Sequence, residues 1–463
     1  MIPKFVNRER ELEFLENSYK SSSSEFIVLY GRRRVGKTEL IQKFIQNKKA
    51  AYCLASKDTT YENMNEFKNS IGEQLNIPLF SKIETNSWLD FFRTFVEFLD
   101  HNTDDAKTII VIDEFSYLIE IDMAVPSLFQ NIWDQILKSK NIMLILCGSS
   151  VSLMQTEVLG YKSPLYGRRT GQWEVTELYL RSVKKFLPDY RAEDIMNTFF
   201  VLGGIPAYLV HWDSKKDFFE NIDEFILSKG KYLYEEGDFL LKQEFREQWI
   251  YALILKKLSL GYNSLGKLYS ATNMDKSNLS KYLNTLENLH IIRHILPLHK
   301  RKGGIYVISD DYLDFWFKFV YNNRDKLELG NKDVVLEKIK REFSSYSGKR
   351  FEYLIEKMIG WGHITFPIEY TDIRKWWNKE VEIDLLVTND ESKEIMFIEC
   401  KWKTLSLRDS LRILEKLKSK STFVEWNKTD RVESFGLIAK QIKEKDILIE
   451  KGFFALDLAD LQI

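Results

Sequence analysis

The alternation of apolar and polar positions divides the chain into elements before any chemistry is considered. Residues 25–30 form a short apolar run of strand character, and 39–45 place apolar side chains at helical spacing. Residues 108–112 and 141–147 are unbroken runs of β-formers, the pattern of strands buried on both faces of a parallel sheet. Near the start, Leu12 and Leu15 sit at core spacing in a helix opening at about residue 5, and Ser21 to Ser24 break it. Farther on, 263–271 predicts a short helix, and Leu279, Tyr282, Leu283, Leu286 and Leu289 recur at helical spacing in a second. Strand-like runs at 293–298 and 305–308 bracket a basic turn. Residues 311–345 read as a helical connector, 348–355 as a separate helix, and 381–387 with 395–402 as a hairpin.

Composition narrows this outline. A chain of 463 residues holds roughly two to four domains. Hydrophobic content of 44% against 29% charged residues describes folded domains, not a disordered chain. The net charge of −1 announces no nucleic-acid partner for the whole, so imbalance must be local. It is: residues 250–309 carry nine Lys and Arg against only Asp275 and Glu287. Cys53, Cys147 and Cys400 are scattered, which argues for a reducing compartment and against a disulfide framework. With no apolar run of about 18 residues and an N-terminus charged too early and too evenly for a signal peptide, the expectation is a cytoplasmic protein with no membrane partner.

The chemistry begins at Gly31-Arg32-Arg33-Arg34-Val35-Gly36-Lys37-Thr38, which fits the phosphate-cradling pattern G-x-x-x-x-G-K-[ST]. Strand, loop and helix follow in the order this pattern needs, with Glu39 opening the helix. Its glycines let backbone N–H groups surround a phosphate at a helix N-terminus, Lys37 reaches the β- and γ-phosphates, and Thr38 can ligate Mg²⁺. Asp113 and Glu114 end a buried strand 75 residues after Thr38. Asp113 is the candidate to hold Mg²⁺, Glu114 to position or deprotonate the attacking water. Ser149, after the next buried strand, is either a γ-phosphate sensor or a helix cap. Arg168 and Arg169 in a glycine-bounded loop suit an arginine finger, in cis or across a subunit boundary, or a surface pair. Asn427-Lys428-Thr429-Asp430 spells a guanine-reading motif but lies almost 400 residues from the phosphate loop; ATP is therefore the expected nucleotide.

Together with Phe5-Val6-Asn7-Arg8-Glu9, Leu165-Tyr166-Gly167-Arg168-Arg169 and Gly204-Ile205-Pro206, these motifs resemble the archaeal ATPase family of the signalling branch of AAA+ P-loop ATPases. The resemblance covers roughly residues 1–240. It implies an α/β core with a helical lid, Val6, Asn7 and Arg8 enclosing the adenine, and Pro206 closing over the base from the lid.

The basic segment is expected to be a winged helix at 245–320. Lys276, Asn278 and Lys281 on its second helix would meet a DNA groove, and Lys300, Arg301 and Lys302 would meet phosphates. A packing or motion-transmitting role is the other reading. His290, His294 and His299 lack Cys or carboxylate companions and are read as core or phosphate-facing rather than as metal ligands. At 340–463, Asp384, then Glu399 fifteen positions later and Lys401, with Glu352 on a preceding helix, resembles the PD-(D/E)xK restriction-endonuclease-like arrangement. The resemblance implies Asp384 and Glu399 on Mg²⁺, Glu352 assisting and Lys401 on the attacking water. A salt-bridged hairpin is the alternative, with Trp376, Trp377 and Trp402 packing the sheet. The expected function is an ATP-hydrolysing switch acting on DNA, with a nuclease domain; the alternative is a signalling ATPase that binds DNA or a protein partner and cleaves nothing.

Overall fold

A computed structural model describes residues 5–100, 106–298, 302–378 and 381–461. The chain divides into two compact units: residues 1–178 with 205–207, and residues 179–204 with 208–463. Within the stretch expected to hold the ATPase and its lid, 1–240, residues 179–240 therefore cluster with the second unit apart from Ile205–Ala207.

In the first unit, β1 (Glu25–Tyr30), β2 (Ala50–Leu54), β3 (Thr108–Asp113), β4 (Ile142–Gly148) and β5 (Gly171–Glu174) form one parallel sheet in the order β2-β3-β4-β1-β5. β1, β3 and β4 are buried along their whole length, which explains their unbroken apolar spelling. One face is covered by an aromatic cluster that includes Phe67, Phe80, Trp88, Phe91 and Phe129. Because all strands run the same way, the loops after β1, β3 and β4 emerge at one edge, where ligands of open α/β sheets bind.

The second unit begins with helices and then a small antiparallel pair, β6 (Ile292–Ile295) and β7 (Ile305–Ile308). Helices Leu265–Thr272 and Lys276–Asn288 precede that pair. The second is amphipathic as its spacing predicts, burying Leu279, Leu283 and Leu286 and capped by Asp275, which accepts from the Ser277 and Asn278 amides at 3.0 Å. Residues 332–360 form one 29-residue helix, Lys332–Gly360. A break near residue 345 was expected because of Gly348, but that glycine keeps a helical backbone and meets nothing within 4 Å of its missing Cβ. A sheet follows, in the order β12-β11-β10-β9-β8, from β8 (Asp372–Asn378), β9 (Val381–Asn389), β10 (Glu394–Leu405), β11 (Val432–Ile442) and β12 (Phe454–Leu456). The expected hairpin is β9 with β10. β10 with β11 is parallel, the Leu407–Ser421 helix making the crossover. Among the described residues no helix is long and apolar enough to cross a membrane.

Candidate functional sites

The phosphate loop turns on two glycines with positive φ. Gly31 has φ +149°, and a Cβ there would lie 2.2 Å from the Val175 carbonyl oxygen. Gly36 has φ +91° and opens the Lys37–Ile45 helix, with the Pro206 ring 3.9 Å from where its Cβ would be. Arg34 also takes a positive φ, 69°. Arg8 is buried beside this loop, donating to the carbonyls of Val35 (2.6 Å) and Thr176 (2.8 Å) and pairing with Glu11 at 2.8 Å. It anchors the loop backbone. Val6 and Asn7 precede it, Asn7 at φ 57°.

Lys37 Nζ donates to the carbonyls of Gly31 (2.8 Å) and Arg32 (2.9 Å). Burial pulls this ammonium below its usual range, while Cys147, Glu114 and Asp113 act the other way. Asp113 gathers three donors: Thr38 Oγ1 at 2.8 Å, the Tyr52 hydroxyl at 2.7 Å and the Glu114 amide at 2.9 Å. Thr38 and Asp113 thus present adjacent hard oxygen donors, the set that Mg²⁺ takes. Glu114, at φ 54°, accepts from Ser149 Oγ at 2.5 Å and lies 3.7 Å from Arg33, which also donates to the Tyr117 hydroxyl at 3.1 Å. β4 lies between β1 and β3, so Ser149 is delivered between the phosphate loop and Glu114.

The second site lies where β9 and β10 part. Their ladder runs from Glu394↔Asn389 to Ile398↔Leu385. One step further the Asp384 side chain takes a backbone partner's place, accepting from the Cys400 amide at 2.8 Å. Across the strand, Arg374 pairs with Leu386 but Trp376 with Ile383, so β9 carries an extra residue around Asp384. This bulge puts Ile383 and Leu386, three apart, into one apolar cluster with Trp376 and Phe397, and turns Asp384 away from it. Lys401 donates to Asp384 at 3.0 Å and also pairs with Glu399, whose other oxygen is held by Lys420. Glu352 accepts from Lys375 at 2.9 Å, and Lys375 also pairs with Glu382. Oxygens of Glu352, Glu382 and Asp384 lie within 4.8 Å of one another. Burial, with Asp384 adding to it, lifts the Glu352 carboxyl to about 7. For Asp384, burial is outweighed by Lys401 and the Cys400 amide, and its carboxyl stays below the usual range.

Residues 5–212 match a family model described as an ATPase domain predominantly from Archaea, and 316–413 match a second, of archaeal and bacterial proteins of unknown function. An uncharacterized protein of Methanocaldococcus jannaschii is 34% identical over 447 residues, 96% of this chain and 97% of that one. The chain belongs to this archaeal ATPase family. Among solved structures, the Walker-type ATPase of Pyrococcus abyssi is similar with 22% identity and a TM-score of 0.50, covering 68% of this chain and 96% of that one.

In this archaeal ATPase, then, Lys37, Thr38, Asp113, Glu114 and Ser149 are brought together, and so are Glu352, Asp384, Glu399 and Lys401. Arg168 and Arg169 are not brought to the phosphate loop. The Thr170 amide donates to the Phe26 carbonyl at 2.9 Å, so the pair enters beside the start of β1, and the Arg169 charge acts on the Tyr30 hydroxyl. Arg168 is engaged by Asp134 at 2.8 Å, and Arg169 lies over the Tyr166 ring. Of the expected DNA contacts, Lys276, Lys281 and Lys302 are exposed. Asn278 is used in its own helix cap, donating to Asp275 at 2.6 Å. Lys300 and Arg301 lie outside the described residues, as does His299. His294 stacks on Tyr306 with 4.4 Å between ring centroids. Trp376 and Trp402 are buried, as packing requires. Three residues had no signal in the motifs: Tyr52, Lys375 and Lys420. Tyr52 sat in plain view as a polar tip in a strand of five; the two lysines come from elements with no spacing rule tying them to Asp384.

Proposed function

We propose that this ATPase is a Mg-ATP-driven switch that acts on DNA through its second unit and cuts phosphodiesters there. For the first site, the N–H groups of residues 31–38 surround the phosphates. Lys37 leaves two carbonyls for the γ-phosphate, and Glu114 orients the attacking water once Ser149 turns to the nucleotide. A divalent cation, held by Thr38 and Asp113 in one site and by Asp384 and Glu399, with Glu352 and Glu382 beside Asp384, in the other, would offset phosphate charge. Arg168 and Arg169 are assigned to the γ-phosphate of a neighbouring copy, consistent with their entry beside the start of β1. Mixing inactive Lys37→Ala subunits with inactive Arg168→Ala/Arg169→Ala subunits should then restore turnover; no recovery sinks that assignment.

The functional modules are taken as the ATPase with lid at 1–240, a winged helix at 245–320 whose Lys276, Lys281 and Lys302 meet DNA, and an endonuclease-like domain at 340–463. The convergence of Glu352, Asp384, Glu399 and Lys401 is the observation that supports cleavage. The test is incubation with plasmid and branched DNA, Mg²⁺ and ATP, beside Asp384→Ala. Cleavage that is absent, or that survives the substitution, removes the nuclease reading. A second reading, a signalling ATPase whose second unit binds DNA or a protein without cutting, is favoured by one fact: Glu352, Asp384 and Glu399 are each already bonded to a lysine.

A further inference from the structure

Lys375 belongs to two environments at once. On one side its ammonium bridges Glu352 and Glu382, two of the three carboxylates close enough to share a cation with Asp384. A lysine held there occupies the position that a divalent ion would need. On the other side, Lys375 lines a groove of about 450 Å³ between β6 and β8, together with Arg293, Arg374, Glu356 and Asp372. Glu356 follows Glu352 by one turn on the Lys332–Gly360 helix, so the groove opens one turn from the acidic cluster. Arg293 and Arg374 balance Glu356 and Asp372 within the groove wall. Lys375 is thus the lining charge whose partners lie in the catalytic cluster instead.

Resting on the nuclease reading of that cluster, we propose that this groove binds one strand of a polynucleotide, and that Lys375 moves from Glu352 and Glu382 to a strand phosphate as it enters. The move frees Glu352 and Glu382, beside Asp384, for a divalent cation. The volume lies within the range of roughly 300–1,000 Å³ typical of small-molecule sites, room for one nucleotide unit of a single strand. Charge gives the direction. Without a strand, an ion entering the cluster must displace an ammonium into a groove whose carboxylates, Glu356 and Asp372, are already paired with Arg293 and Arg374. With a strand, the ammonium gains a phosphate while the carboxylates gain the ion. Cation and strand therefore promote each other's binding, by the same factor in both directions.

The test is calorimetric titration of Mn²⁺ into the nucleotide-free full chain, alone and saturated with a short single-stranded oligodeoxynucleotide carrying non-hydrolysable phosphorothioate linkages. The signal assigned to this site is the part lost in Asp384→Asn. In the natural protein the oligonucleotide should tighten Mn²⁺ binding about tenfold or more. In Lys375→Met the tight affinity should be present without the strand and the enhancement should vanish; Lys375→Arg, which keeps the charge, should keep the enhancement. Unchanged ATP hydrolysis in each variant reports an intact fold in the first unit, and an unchanged melting profile reports the second. The proposal is overturned if Mn²⁺ binds the natural protein and Lys375→Met equally, or if the corresponding duplex enhances binding as well as the single strand. Absence of any Asp384-dependent Mn²⁺ signal, with or without strand, overturns the metal-site reading itself and this proposal with it.

Discussion

The two sites hold their lysines in opposite ways. Lys37 rests on two backbone carbonyls, neutral groups that leave its positive charge to be claimed by an incoming phosphate. Lys375, Lys401 and Lys420 rest on carboxylates, so the second site arrives already neutralised. The first is a socket waiting for a charged ligand; the second must exchange partners before it can take one. The two motifs thus describe sites at different stages of readiness, and the difference lies in the partners, not in the motif residues.

The largest effect is expected in the frame that carries Glu352. Arg350, on the same helix, is buried with Asp311 and Asp314 and donates to the Ile308 carbonyl at 3.0 Å. Arg350→Met leaves those carboxylates buried without their guanidinium and should cost about 3–5 kcal/mol in denaturant unfolding of the second unit. If the loss is under about 1 kcal/mol, the second site's helix is not fixed by that charge cluster. Next comes Lys37→Ala, expected to lower phosphate release by about a hundredfold or more while leaving Asp384-dependent Mn²⁺ binding unchanged. A parallel loss at both sites would erase the contrast between them. Tyr52→Phe removes one of the two hydroxyls on Asp113 and should weaken divalent-dependent nucleotide binding about fivefold, on the order of 1 kcal/mol; equilibrium titration of a fluorescent ATP analogue reads this. The smallest effect belongs to the exposed lysines. Each of Lys276→Ala and Lys281→Ala should reduce the salt slope of DNA binding by about one, without altering either site.

Much of the first site was legible because its residues follow one another along the chain. The glycines, Lys37 and Thr38 are consecutive, and a parallel sheet puts the ends of β1, β3 and β4 at one edge whatever their separation in sequence. Arg168 and Arg169 show where this fails: their loop enters at the start of β5, and nothing in its spelling reveals which edge of the sheet it meets. In the second unit the hairpin of β9 and β10 brought Asp384 to Glu399 and Lys401 as expected. The bulge was not legible, because Val381 to Val387 alternates well enough without it, and only the pairing with β8 exposes the extra residue. Lys375 and Lys420 were hidden for a related reason. Lysines near strand and helix ends normally face water, and only the folded register aims these two at carboxylates. Gly348 misled in the opposite sense, since a single glycine weakens a helix by about 1 kcal/mol and a helix of 29 residues absorbs it.

The grouping of Ile205–Ala207 with the first unit has a consequence for how such a protein can be taken apart or recombined. The backbone passes between the two units three times, at 178/179, 204/205 and 207/208. A gene fragment ending at Leu178 would encode a phosphate loop without the proline that covers Gly36, and a fragment beginning at Tyr179 would carry that proline away from its loop. The phosphate loop and Pro206, far apart along the chain, must therefore be kept together in any recombination that preserves the nucleotide site.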